Sequence, residues 1–225
     1  MLQNLVTFRP TPGRLVLPDL CCDVAIVGTK AFVAGPLTHV RDMDHTGRDV
    51  TLLRISVIAA RPLFQLPVSE LTDQVVPLED VHRRLARDIA ERLETGRLSC
   101  SLQPMPPAET DRRFTVAARE LTRNATVRRA AEGVAMSERQ LERLFNEHAG
   151  IPPKMFARIA RFRRAIISAR QGMPLAVAAA AHGYADQSHF TREVRDLTAL
   201  SPRALLRRVA FVQDAESWKN VGCES

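Results

Sequence analysis

The sequence predicts an α+β chain made of a β-rich first part and an all-helical second part. Three observations carry that prediction. The hydrophobic period shifts from roughly two to three and four residues at Pro77, the cationic excess falls beyond residue 109, and one structural unit occurs twice in the second part, 49 positions apart.

The 225 residues suffice for one large domain or two small ones, each burying a core. No stretch approaches the roughly 18 uninterrupted apolar residues of a membrane span. The start MLQNLVTFRP lacks a secretory signal pattern, so a soluble, cytoplasmic protein without membrane partners is expected. Cys21, Cys22, Cys100 and Cys223 lack metal-ligand spacing and read as reduced thiols. Cys21 and Cys22 are expected to pack in or beside a strand, and of adjacent strand residues only one can point into the core.

The formal net charge is +7. Residues 1–109 hold 12 Lys/Arg against 13 Asp/Glu, whereas residues 110–210 hold 19 against 9, and all but Lys154 of those 19 are arginine. Arginine forks onto phosphate oxygens and guanine edges better than lysine does. A solvated basic surface would have the same composition, so charge alone does not decide the function.

The first part contains short strands at RLVL (14–17), CDVAIV (22–27), AFVAG (31–35) and VTLLRISV (from 51), separated by turn-rich segments such as MDHTGRD. Leu78, Val81, Leu85, Ile89 and Leu93 recur at helical spacing, which predicts one amphipathic helix over 78–94. Residues 98–109, with Pro106 and Pro107, read as a linker between residues 1–97 and 110–209; residues 210–225 read as a tail.

Helix boundaries are legible in the second part. Thr126 can cap VRRAAEGVA, Ser137 with Gln140 forms a capping box for ERQLERLFNEH, and Gly150 supplies a stop. Pro152 and Pro153 introduce a long helix over 154–171, closed by Gly172. Pro174 opens PLAVAAAAH, Asp186 caps QSHFTREVRDL, and Ser201 with Pro202 starts a last short helix.

Shifting the chain by 49 residues superposes Ser137 on Asp186, Leu141 on Phe190, Arg143 on Arg192, Phe145 on Val194 and Pro153 on Pro202. Each copy is a small-residue helix, a tight turn and a capped helix with a polar face, the pattern of a helix-turn-helix. Ala178 to Ala181 would let the first helix of the second unit approach its partner closely, Gly183 would supply a positive φ, and Tyr184 would pack in the core.

On the second helix of each unit, Leu141, Leu144 and Phe145, and then Phe190, Val194 and Leu197, should face inward. The candidate DNA contacts are Ser137, Glu138, Arg139, Gln140, Glu142 and Arg143 in the first unit. In the second they are Asp186, Gln187, Ser188, His189, Thr191, Arg192 and Arg195, with Arg163 added from the joining helix. Gln suits adenine, Arg suits guanine, and the Thr methyl suits a thymine methyl. His189 is expected to pack or to meet a phosphate; His148 and His182 are expected to be structural.

TVRRAAEGVAMSERQLERLFNEHAGIPPKMFARIARFRRAI (126–166) and LAVAAAAHGYADQSHFTREVRDLTALSPRALLR (175–207) resemble the AraC/XylS family of transcription regulators, most distinctively in GYADQSHFTR. Val194 stands where the family usually has Phe, and Ala199 where it usually has Gly. The resemblance implies seven helices forming two helix-turn-helix units on a rigid joint of roughly 27 Å at 1.5 Å per residue. It also implies reading helices in successive major grooves of double-stranded DNA, about 34 Å apart. Arg158, Arg161, Arg163, Arg164 and Arg170 lie on that joint, and some of them should meet phosphate.

RLVLPDLCCDVAIV, GPLTH and PLFQLPVSELTDQVVPLEDV resemble the N-terminal sensor domain of one subgroup of these regulators, a small cupin-like β-fold followed by helices. Few strands precede RLVLPD, so the chain is expected to begin inside that domain and to hold an incomplete pocket. An activator with no catalytic activity and no cofactor is expected, with RNA polymerase as the partner that the resemblance implies; residues 1–97 would take a small-molecule effector or sense nothing, and the apolar face of 78–94 would pack on its own domain or against a second subunit as a homodimer.

An enzyme is the competing class. Asp19, Asp23, His39, Asp42, Asp44 and His45 could form a cupin metal site, though no two histidines have ligand spacing and DMDHTG is as good a turn. Cys21 or Cys22 could be the acceptor thiol of a DNA-repair protein, though the neighbouring acids would raise a thiol pKa. Bound metal or one hyper-reactive thiol would favour these readings.

Overall fold

The computed structural model describes residues 2–10, 15–42, 47–94 and 109–208. The linker over 98–109 and the tail over 210–225 lie outside those residues except for Glu109, as do Asp44, His45, Cys100 and Cys223.

Among the described residues, seven strands form two antiparallel sheets. The larger has the order β1 (Leu2–Phe8), β6 (Val50–Ser56), β3 (Cys21–Val27), β4 (Lys30–Ala34), β7 (Val75–Pro77); the smaller pairs β2 (Leu15–Val16) with β5 (Arg41–Asp42). Four of these strands correspond to the predicted ones, while β1, β5 and β7 are additions whose residues alternate poorly. The strand expected from residue 51 ends at Ser56, because the Ser56 hydroxyl accepts from the Ile58 N–H at 3.3 Å and starts α1 (Val57–Phe64). A 3₁₀ turn follows at Val68–Glu70.

The single helix expected over 78–94 is two, α2 (Leu78–Val81) and α3 (Arg83–Glu94). His82 separates them with φ −150° and ψ 81°, and its Nδ1 accepts from the Leu85 N–H at 3.2 Å. A side chain that caps the next turn thus replaces a backbone bond, and period alone does not reveal that exchange.

Seven helices follow among the described residues: α4 (Glu109–Thr122), α5 (Val127–Glu132), α6 (Glu138–Ala149), α7 (Pro153–Arg170), α8 (Leu175–Ala181), α9 (Gln187–Thr198) and α10 (Pro202–Arg208). Each predicted start is in place. Thr126 accepts from the Arg129 N–H at 3.2 Å, Ser137 and Gln140 form the reciprocal capping box, and Asp186 accepts from the His189 N–H at 2.6 Å.

Two apolar cores hold the molecule together, and each contains residues from both parts of the chain. In the first, Cys22, Val24, Leu53 and Ile55 on one face of the large sheet join Val57, Phe64 and Val68, and then Phe114, Leu141, Phe145 and Phe156. In the second, Leu15 and Leu17 join Phe162, Ile166, Phe190, Val194, Leu197 and Leu205. The small β2–β5 sheet therefore completes the core of the second helical unit.

Both adjacent cysteines are buried, contrary to the one-inward expectation. Cys22 lies in the apolar core, while Cys21 starts its strand beside Asp19, whose Oδ1 accepts the Cys21 N–H at 3.2 Å. This end of the sheet is covered on its second face as well, because Arg163 of α7 reaches Asp19 there. Among the described residues no helix is long and apolar enough to cross a membrane.

Candidate nucleic-acid interface

The two helix-turn-helix units are α5 with α6, and α8 with α9. Leu141, Leu144, Phe145, Phe190, Val194 and Leu197 all point inward as the stripe predicts. In the first helix of the second unit only Ala178 and Ala179 face the core; Ala180 and Ala181 are exposed, so two alanines rather than four permit the close approach. Gly183 takes φ +82° at the turn.

Tyr184 is buried, with its ring 5.0 Å from that of Phe190 and 5.3 Å from that of His189. Arg161 lies over it at 4.6 Å. Burial foremost, with Glu193 adding, pushes the Tyr184 phenol up to about 12. It remains a neutral core aromatic.

The candidate reading residues divide by what they already hold. Ser137 and Gln140 are exposed, yet the Gln140 Oε1 accepts from the Ser137 N–H at 2.8 Å and the Ser137 hydroxyl accepts from the Gln140 N–H at 3.3 Å. Asp186 is likewise occupied with its cap, and the His189 ring packs edge-on against Tyr184. Thr191 is half-buried. Glu138, Arg139, Glu142, Arg143, Gln187, Ser188, Arg192 and Arg195 are exposed. Arg143 and Arg192, equivalent in the two units, have no side-chain ion pair or hydrogen bond among the described residues.

Arg163 does not belong to this surface. Its side chain is 3 % exposed, and Nη1 donates to the Asp19 backbone oxygen at 3.1 Å and lies 3.2 Å from Oδ2 of the same residue. A guanidinium is not deprotonated in proteins, so a buried one needs a carboxylate beside it. Three other arginines of α7 are also turned to protein groups. Arg158 bonds Glu193 and Asp196, Arg161 bonds Glu193, and Arg164 donates to the Asn124 Oδ1. Of the five arginines expected on the joining helix, Arg163 is buried away from any phosphate, and Arg158, Arg161 and Arg164 hold protein partners.

Glu193, absent from the predicted set, is the centre of that pairing. It is buried on α9 next to exposed Arg192 and receives two arginines from α7. Its sequence position signals only a polar neighbour of the inward stripe; the partners lie more than 30 residues away.

Asp19 and Asp23, two of the acids behind the metal reading, are also occupied. Arg54 is buried and donates to both Asp23 oxygens at 3.0 and 2.9 Å while its Nη2 sits 2.9 Å from Asp19 Oδ2. Burial foremost pushes the Cys21 thiol up to about 12 and the Cys22 thiol up further still. Neither is the low-pKa, accessible thiolate an acceptor requires. His148 is buried and stacks on Phe114 with ring centroids 5.0 Å apart, and His182 Nε2 pairs with the Ser168 hydroxyl at 2.8 Å.

Residues 130–208 match the family model described as a helix-turn-helix domain. No curated protein matches the chain. Solved structures of ToxT from Vibrio cholerae are similar to it. An apo variant from strain SCE256 is 11 % identical, with 92 % of this chain and 94 % of that one covered and a TM-score of 0.45. A second crystal form is 10 % identical, with 92 % and 98 % covered and a TM-score of 0.44. The wild-type protein with bound unsaturated fatty acid is 12 % identical, with 93 % of each chain covered and a TM-score of 0.44.

Proposed function

We propose that residues 130–208, which match a helix-turn-helix family model, are an AraC-type domain, and that the chain is a transcription regulator that places α6 and α9 in two major grooves of one DNA duplex. One observation carries this reading: Arg143 and Arg192 occupy equivalent positions in two capped, amphipathic helices and are both exposed and unpaired among the described residues. Arginine so placed can fork onto guanine N7 and O6. Arg139, Gln187, Ser188 and Arg195 extend the same surfaces, while Ser137, Gln140, Asp186 and His189 hold the helix starts that aim them.

The proposal extends to a cytoplasmic activator that contacts RNA polymerase, pairs as a homodimer and takes a small-molecule effector at its β-rich part, with no catalytic step of its own. These features rest on the family resemblance of the sequence. The DNA-reading role rests on the helices themselves.

Selecting bound sequences from a random DNA pool with the full chain tests the reading. Two half-sites one helical turn apart are expected, and Arg192→Ala should cost about 1–3 kcal/mol and relax preference at one base pair. A sequence preference unchanged by Arg192→Ala refutes the assignment of that arginine; failure to enrich any sequence refutes the regulator.

A further inference from the structure

We propose that the β-rich part is a bridge that sets the distance and rotation between the two reading helices, with Asp19, Arg61, Thr72 and Val40 as its positioning residues. The inference deepens the DNA-reading role above and rests on it.

The β-rich part grips the same end of both reading helices. At the end of α6, Arg61 of α1 donates to Glu147 Oε1 at 3.2 and 3.0 Å, and the Thr72 hydroxyl donates to the Gly150 carbonyl at 2.9 Å. At the end of α9, the Val40 N–H donates to the Leu197 carbonyl at 3.1 Å. The last carbonyls of a helix have no partner within it, so a donor from another element fixes the helix end in place. Between the two grips, Arg163 of the joining helix is buried on Asp19, which Arg54 holds in turn.

The opposite ends, carrying Glu138 and Arg139 in α6 and Gln187 and Ser188 in α9, are exposed. The grips therefore leave the reading ends open. The continuous apolar cores beneath them make a coupled frame, since packed interiors shift between discrete arrangements and do not deform smoothly.

Such a frame has a consequence for DNA. B-form half-sites moved by one base pair shift by about 3.4 Å and rotate by about 35° about the duplex axis. Two reading helices hinged only on α7 could follow part of that change; two helices clamped at a common frame cannot. The arrangement assigns Arg163 to spacing selectivity, a property distinct from affinity for either half-site.

The experiment measures binding of the full chain to duplexes bearing the selected half-sites at spacings varied in single base pairs. The wild-type chain should lose tenfold or more when the spacing is changed by one or two base pairs. Arg163→Met, and separately the milder Arg61→Glu at a half-exposed pair, should reduce that discrimination to threefold or less while binding to a duplex with one half-site stays unchanged. Adding Glu147→Arg to Arg61→Glu should restore the wild-type spacing profile. Unchanged profiles in both single variants overturn the proposal, as does tighter binding by them at the wild-type spacing, which would make the grips a restraint against DNA. If the wild-type chain selects no sequence at all, the regulator reading fails first and takes the bridge with it.

Discussion

Glu193 on α9 receives Arg158 Nε at 3.0 Å and Arg161 Nη2 at 3.2 Å, so one buried carboxylate ties α9 to the joining helix α7. The two arginines lie three residues apart on α7, on one face. Because Arg192 immediately precedes Glu193, the side chain proposed to read DNA stands beside the one that fixes its helix. Glu193→Gln keeps the shape and removes the charge, leaving two part-buried guanidinium groups facing a neutral amide. It should destabilise the chain by about 1–3 kcal/mol. Chemical denaturation measures this, and a change below about 0.3 kcal/mol would show that the pairs contribute nothing.

The helical part was legible in the sequence because its signals are local. Thr126, Ser137 with Gln140, Gly150, Gly183 and Asp186 each act within a few residues, and the inward stripes follow from a 3.6-residue period. The β-rich part was legible only where alternation was strong, as in Cys21–Val27; the conversion of a strand into α1 at Ser56 depends on one side-chain hydrogen bond. The burial of Arg163 is illegible in the sequence for a different reason. A buried arginine and an exposed one have the same sequence appearance, and Asp19 lies 144 positions away. The same holds for Glu193, which only the packing of α9 on α7 distinguishes from a solvent-facing acid.

Two glycines with positive φ should respond differently to alanine. Gly150 has φ +71°, and a Cβ there would run into Thr72 Oγ1 and lie 2.9 Å from the Val68 oxygen. Gly172 has φ +95° but open space around it. Gly172→Ala carries backbone strain alone, of about 1–2 kcal/mol, whereas Gly150→Ala adds a clash at the contact between α6 and the 3₁₀ turn and should cost about 3 kcal/mol or more. Thermal unfolding of the two variants side by side checks the order; equal losses would mean that the close approach at Gly150 relaxes freely.

Ala199 ends α9 with φ 57° and ψ 8°, and its N–H donates to the Arg195 carbonyl at 2.7 Å. This left-handed stop is where the resembling family usually has glycine, and an L-residue with a Cβ is strained there. Ala199→Gly should raise stability by about 0.5–1 kcal/mol, the strain relief exceeding the added freedom of the unfolded chain. Ala199 is exposed and lies at the end of α9 opposite Gln187 and Ser188 of the proposed DNA surface, so DNA affinity should not move. A lower unfolding midpoint for this variant would contradict the cap geometry.

His182 closes α8 and pairs with Ser168 across the second unit. Burial, and secondarily the charge of Arg164, holds its imidazole below the ordinary value. The folded chain then binds fewer protons at this site than the unfolded chain does when the pH lies between the lowered value and about 6.5. Stability from this group is therefore present above about 6.5 and decreases as the pH falls through that window. Asparagine at 182 can keep a hydrogen bond to Ser168 without titrating. The His182→Asn variant should accordingly lose less stability than the wild type between pH 7.5 and 5.5, measured as the denaturant midpoint across that range. A steeper acid loss in the variant would mean that protonated His182 is favoured in the folded chain, the reverse of what burial beside Arg164 requires.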